Sequence, residues 1–116
     1  MNELAQSIVT NKIILSCFVA VVLAQSIKVL LHYRKHSTVS YKQFFMSRNM
    51  PSSHSAVACA LGLSVYLAEG ITSLTVVTEV LCLIVIRDAY EYRHSLTEVI
   101  AGIILGLTTT SLIWIL

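Results

Sequence analysis

Long apolar stretches, broken only by short polar segments, limit the folds open to this chain. The longest stretch, residues 13–31, contains a single charged side chain, Lys28. A helix that crosses a bilayer needs about 20 mainly apolar residues. Three further apolar stretches follow, at residues 56–68, 71–86 and 95–116. The pattern predicts an all-α, polytopic membrane bundle of about four transmembrane helices.

The composition supports a membrane protein over a soluble one. The chain is 56% hydrophobic and 12% charged, with a mean hydropathy of +0.79, whereas a soluble domain carries about twice that charge. Its 116 residues are enough for one domain, which we place at residues 1–116. The net charge of +2 is too small to indicate nucleic-acid binding.

The start of the chain allows two interpretations. Lys12 and the apolar residues after it could form a signal peptide, but Glu3 precedes them and the apolar run continues to Leu31. We therefore favour a retained first membrane helix over residues 13–31. Residues 1–11 are mildly amphipathic and are predicted to form a short interfacial segment.

Residues 32–48 combine basic and aromatic side chains, which suits a lipid headgroup layer. If consecutive helices run antiparallel as hairpins, this segment and a compact charged turn at residues 87–94 lie on the same membrane face. The excess of Lys and Arg there predicts that this face is cytoplasmic, in a bacterial inner membrane.

Small residues inside the apolar stretches have simple expected roles. Cys17, Cys59 and Cys82 lack metal-ligand spacing, so we expect buried apolar side chains and neither a metal nor another cofactor. Gly102 and Gly106 are spaced to let another helix approach closely. That helix could belong to the same chain or to a second copy in a homodimer.

Lys28 is an ionisable residue within a predicted membrane helix, and such residues are usually functional. Gln25, His32 and Lys35 share its helical face. Lys28 could extend its ammonium group to the interface, or it could bind a phosphate.

The segment from Pro51 to His54 has the pattern of a helix start. Pro51 suits the first helical turn, and Ser52 and Ser53 can cap it. Amides at a helix N-terminus bind oxyanions, and His54 could give a proton to a leaving oxygen. The alternative is an ordinary capped helix with an interfacial histidine.

A second polar cluster precedes the last apolar stretch. His94 and Glu98 are four residues apart, so the carboxylate could orient the imidazole. Arg87 and Arg93 could neutralise phosphate oxygens, and Asp88 could orient Arg93 or a phosphate-binding lysine. The alternative is a solvated turn with local ion pairs.

Four motifs together resemble the divergent branch of the phosphatidic-acid phosphatase type 2 superfamily, which also contains vanadium haloperoxidases. In that branch A-Q-x-x-K is followed by M-P-S-S-H-S-A, D-A-x-G-V-R and G-H-x-P-x-E-V. The matching segments here occur in the same order: residues 24–28 (AQSIK), 50–56 (MPSSHSA), 88–93 (DAYEYR) and 94–99 (HSLTEV).

This resemblance implies specific roles. His94 would attack phosphorus and form a phosphohistidine, Glu98 would orient it, and His54 would protonate the leaving group. No metal is implied. The substrate-binding candidates are Lys28, Ser52, Ser53, Arg93, Arg87, Asp88 and Arg48.

The chain departs from the superfamily pattern at its arginines. Arg87 lies seven residues before His94, whereas the superfamily arginine lies six residues before; Asp88 occupies that position. Lys35 stands where the first motif has arginine, and Arg48 precedes the second motif. The choice among Arg87, Arg93 and Arg48 stays open.

These observations favour a lipid-phosphate phosphatase acting on phosphatidate, phosphatidylglycerophosphate or a polyprenyl phosphate. One alternative is a non-catalytic subunit that binds lipid phosphate or assists assembly. A third interpretation, a small transporter, rests on Glu79 and Lys28 inside apolar stretches.

Overall fold

The computed structural model describes residues 2–39, 42, 50–92 and 95–116. These residues form four helices and no strand, which confirms the predicted all-α class for the described part of the chain. The helices are α1 (Glu3–His36), α2 (Ser53–Glu69), α3 (Ser73–Tyr92) and α4 (Leu96–Ile115).

Two of these helices, α1 and α4, are long and apolar enough to cross a membrane, judged by length and composition among the described residues. At a rise of 1.5 Å per residue, the 34 residues of α1 extend about 51 Å. That length exceeds the hydrocarbon core of a bilayer, about 30 Å. The length and composition of these two helices therefore support membrane association.

Helix α1 begins earlier than predicted. The Asn2 side chain caps it by accepting a hydrogen bond from the Ala5 amide at 2.7 Å. The helix ends where Ser37 adopts φ 59° and its amide donates to the Tyr33 carbonyl. Residues 3–11 are therefore part of the same helix as the apolar stretch, and the interfacial position of residues 1–11 stays a prediction.

Helix α3 extends through much of the predicted charged turn. It continues to Tyr92, so Arg87 and Glu91 are helical and form an ion pair at 3.1 Å. Charges of opposite sign four residues apart support a helix. The predicted turn over residues 87–94 is thus wrong for residues 87–92, and residues 93–94 lie outside the described part.

Helix α2 is the centre of the bundle. It packs against α1, α3 and α4, while α1 also packs against α4 and α3 makes only slight contact with α4. The core between α1 and α2 consists of fully buried alanines: Ala20, Ala24, Ala56 and Ala60. Small side chains let helix backbones approach closely, which suits packing within a bilayer.

The Gly102 and Gly106 stripe packs α4 against the first half of α2. A Cβ atom at Gly102 would overlap the Ser52 carbonyl oxygen, and one at Gly106 would overlap that of Ala56. Tight packing is confirmed, and it occurs within the chain. Because α2 covers the stripe, the stripe does not support a homodimer. The homodimer stays a prediction.

Glu79 and the cysteines lie where α3 meets α2. Gly62 has no side chain, and the carboxylate of Glu79 takes up that space, 3.0 Å from where a Cβ would stand. Cys82 is buried as predicted, whereas Cys17 and Cys59 are partly buried; all three are free thiols.

Candidate functional site

The start of α2 is built by Ser52. Its side chain accepts a hydrogen bond from the Ser55 amide at 3.2 Å, and its carbonyl accepts one from the Ala56 amide. Capping by Ser52 is therefore confirmed. Pro51 lies just before this cap, after a cis peptide bond from Met50, so its predicted place in the first helical turn is wrong.

The start of α4 is built by a reciprocal capping box. The Ser95 side chain accepts from the Glu98 amide at 3.4 Å, and the Glu98 carboxylate accepts from the Ser95 amide at 3.1 Å. Each bond satisfies an amide that the helix leaves without an intrahelical partner. Glu98 is thus engaged at the helix start in this structure.

One backbone bond joins the two helix starts. The Ser52 amide donates to the Glu98 carbonyl at 3.0 Å. Each helix N-terminus carries a partial positive charge of roughly half an elementary unit. Two such termini meet here, which makes this corner favourable for an anion.

Lys28 reaches this corner from α1. Its side chain is 1% exposed, and its ammonium donates to the Ser53 hydroxyl at 3.3 Å. The negative charge of Glu98 also acts on this ammonium. Lys28 is therefore enclosed by the bundle at the starts of α2 and α4, and its role in binding phosphate stays a prediction.

His54 follows Ser53 in the first turn of α2 and is partly buried. Both residues line an apolar cavity of about 340 Å³. The structure therefore brings together the predicted residues Lys28, Ser52, Ser53 and Glu98, with His54 beside them in the lining of the cavity.

Arg87 and Asp88 are placed differently. Their side chains are 69% and 55% exposed, and they contact each other at 3.7 Å, while Arg87 also pairs with Glu91. The local ion pairs that we weighed as the alternative are present. Their predicted role in binding phosphate stays a prediction.

Three predicted site residues, Arg48, Arg93 and His94, lie outside the described residues. The nucleophile and two of the three candidate arginines thus stay predictions. Among the described residues, no three His, Cys, Asp or Glu side chains are grouped to hold a metal ion.

Two contributions to this corner were missed by the sequence prediction. Ser95 caps α4, and the spacing Ser-x-x-Glu from Ser95 to Glu98 was a readable signal for it. The bond from the Ser52 amide to the Glu98 carbonyl had no signal, because peptide groups at any residue can form it.

Comparison with known proteins places the chain in a family. No curated protein and no solved structure matches it. A family match covers residues 9–95, described as the divergent PAP2 family, and it contains Lys28, Ser52, Ser53 and His54. Since the match spans well over half of the 116 residues, the chain belongs to the divergent PAP2 family.

Proposed function

We propose that this protein is a membrane phosphatase that hydrolyses a phosphomonoester or diphosphate of a lipid through a phosphohistidine. Membership of the divergent PAP2 family relates it to phosphatases in general. The observation that carries the proposal is the buried Lys28 ammonium against Ser53, at the meeting point of two helix N-termini.

The phosphate would occupy the corner between α1, α2 and α4. Lys28 supplies a full positive charge there, Ser53 supplies a hydroxyl, and the two helix starts add their dipoles. Phosphoryl transfer depends mainly on positioning and on neutralising charge at the phosphoryl oxygens. This arrangement supplies both with side chains held by helices.

The chemical steps use two histidines. His94 Nε2 attacks phosphorus, the bond from phosphorus to the leaving oxygen breaks, and His54 gives its proton to that oxygen. Water then attacks the phosphohistidine, His54 accepts the proton from this water, and inorganic phosphate leaves with His94 restored. Glu98 supports the imidazole of His94 during both steps.

The order of the helices and the basic residues between them support one arrangement in the membrane. We infer that all four helices cross the bilayer and that the site lies near the cytoplasmic face, at the depth of lipid headgroups. In this arrangement the phosphate of a lipid reaches the corner while its hydrocarbon portion stays among the helices.

The test is phosphate release by purified protein in lipid nanodiscs. The substrates are phosphatidate, phosphatidylglycerophosphate and a polyprenyl phosphate. We expect release from at least one lipid, abolished in His94→Ala and slowed by about 10²–10⁴-fold in His54→Ala, the usual contribution of a general acid.

Two results would argue against this mechanism. Release that survives His94→Ala would exclude the phosphohistidine. Phosphate-lipid binding by wild-type protein without turnover of any of the three lipids would instead favour a non-catalytic binding subunit.

A further inference from the structure

An apolar slot runs from the candidate site into the membrane part of the bundle. We define the α1–α3 slot by Val21 of α1, Val57 and Leu61 of α2, and Leu81 and Val85 of α3. It has a volume of about 340 Å³. It forms because α1 and α3 both pack against α2 and leave a gap between them.

The slot is continuous with the polar corner. Ser53, which accepts the hydrogen bond from Lys28, also lines the slot, and so does His54. The space is therefore lined by Ser53 and His54 beside the start of α2, with Lys28 behind Ser53, and the rest of its lining is apolar. This division matches an amphiphile with a charged head and an apolar tail.

The depth of the slot follows from the spacing of its residues on α2. His54, Val57 and Leu61 are three and four residues apart, so they lie along one helical face. From His54 to Leu61 the helix rises about 10 Å, a length on the order of eight methylenes in an extended chain.

The lining of the slot suits an extended hydrocarbon chain. Apart from Ser53 and His54, the residues that line it are apolar. An extended hydrocarbon chain is much narrower than a helix and can lie along the face of α2 from His54 to Leu61.

We propose that the α1–α3 slot holds the hydrocarbon chain next to the phosphate of the substrate. The protein thereby selects phosphate esters with a single hydrocarbon chain, or with one chain that can lie apart from the others, over water-soluble phosphate esters. This inference rests on the proposed function for its head group. In the bilayer the chain is already in an apolar medium, so the slot contributes selectivity through shape and length.

A second groove on the other side of α3 provides matched controls. We define the α3–α4 groove by Leu63 of α2, Glu79 and Leu83 of α3, and Leu107 of α4, with a volume of about 420 Å³. It carries the carboxyl group of Glu79, and neither Ser53 nor His54 lines it. A chain anchored at the Lys28 corner should leave it unoccupied.

The first experiment compares Val57→Phe with Leu63→Phe. Both positions are on α2 and partly buried, one in each groove. We expect Val57→Phe to lower kcat/KM for dodecyl phosphate by about tenfold, because the larger ring takes up part of the slot that the chain would occupy. Butyl phosphate should change less, by about twofold, because its four carbons span about 5 Å, reach only to the level of Val57 and leave the deeper part of the slot empty.

Partition of the longer ester into the nanodisc affects both variants equally, so the ratio of the two variants isolates the slot. Equal losses in Val57→Phe and Leu63→Phe, or equal losses for butyl and dodecyl phosphate in Val57→Phe, would overturn the proposal.

The second experiment needs no catalysis. Cys17→Ser, Cys59→Ser and Cys82→Ala remove the native thiols, and Val85→Cys or Leu83→Cys then reports on one groove each. Dodecyl phosphate at about ten times its Kd should slow maleimide labelling about tenfold at Val85→Cys, because only the free protein reacts. Labelling at Leu83→Cys should not change.

Inorganic phosphate and dodecanol, used as separate probes, test the contributions of the phosphate group and of the hydrocarbon chain to this protection. Neither should protect Val85→Cys as dodecyl phosphate does; equal protection by dodecanol would overturn a slot linked to the phosphate corner. If labelling behaves as expected but no ester is hydrolysed, the slot stands and the proposed catalysis fails. If lipid phosphates are hydrolysed without selective protection, the catalysis stands and the slot fails.

Discussion

A buried ammonium carries a desolvation cost of several kcal/mol, and Lys28 is 1% exposed. The Ser53 hydroxyl and the charge of Glu98 offset part of that cost. An apolar side chain at this position avoids that cost, and Glu98 keeps the hydrogen bond that it accepts from the Ser95 amide, so its carboxylate is not left without a partner. Retention of the cation at this point therefore indicates a role in function more than a role in folding.

Lys28→Met tests this at the scale of one side chain. We expect the thermal midpoint in nanodiscs to stay the same or rise, while kcat/KM for a lipid phosphate falls about 10–100-fold, the value of a charge-assisted hydrogen bond. Lys12→Met, on the same helix but beside Trp114, is the control and should retain activity. A lower midpoint with full activity would assign Lys28 a structural role.

Individual site residues were predictable to an uneven degree. Lys28, Ser52 and Ser53 could be grouped from sequence because each belongs to a motif whose chemistry suits an anion. The exposure of Arg87 could not be read this way, since a nearby phosphate and the nearby Glu91 are equally good partners for a guanidinium.

At the scale of helices, the position of the α2 start depends on α4. Gly102 lies against the Ser52 carbonyl, and a side chain there would meet backbone atoms that cannot turn aside. Gly62 differs, because a side chain there would meet the flexible carboxylate of Glu79. The two glycines thus form a natural pair for comparison.

We expect Gly102→Ala to lower the free energy of unfolding by about 1–3 kcal/mol, the usual cost of overpacking. It should also reduce phosphate release, because it displaces the cap of α2. In Gly62→Ala the higher helix propensity of alanine, worth up to about 1 kcal/mol, offsets the crowding. Denaturation and activity assays on both variants measure this, and equal effects would contradict close packing of α4 on Ser52.

Helix identity was predictable and helix length was not. Apolar runs locate the middle of each helix. Polar ends mislead, because a segment such as the one from Arg87 to Glu91 reads as a turn although its charges pair along a helix. The same reasoning placed the start of α1 too late, because Asn2 caps the helix ahead of several polar residues.

At the scale of the whole molecule, the site and the opposite end of the bundle are separate. The far end is held by Trp114 of α4, which donates to the Ser64 hydroxyl and lies 5.4 Å from the Lys12 ammonium. The phosphate corner lies at the starts of α2 and α4. Changes at one end should therefore alter stability without altering anion binding.

Orthovanadate tests this separation. At about 100 times its Kd it should stabilise the wild-type protein by about 2.7 kcal/mol. Trp114→Phe should lower the thermal midpoint yet keep this stabilisation, whereas Lys28→Met should lose it. Loss of the vanadate effect in Trp114→Phe would show that the two ends are coupled.

The bond between the Ser52 amide and the Glu98 carbonyl has a wider consequence. It is made by peptide groups, so any residue except proline at position 52 can form it. Side chains around the corner can change over evolutionary time while the two helix starts keep their spacing. A chain with altered arginines can in this way retain the frame on which a phosphate site is assembled.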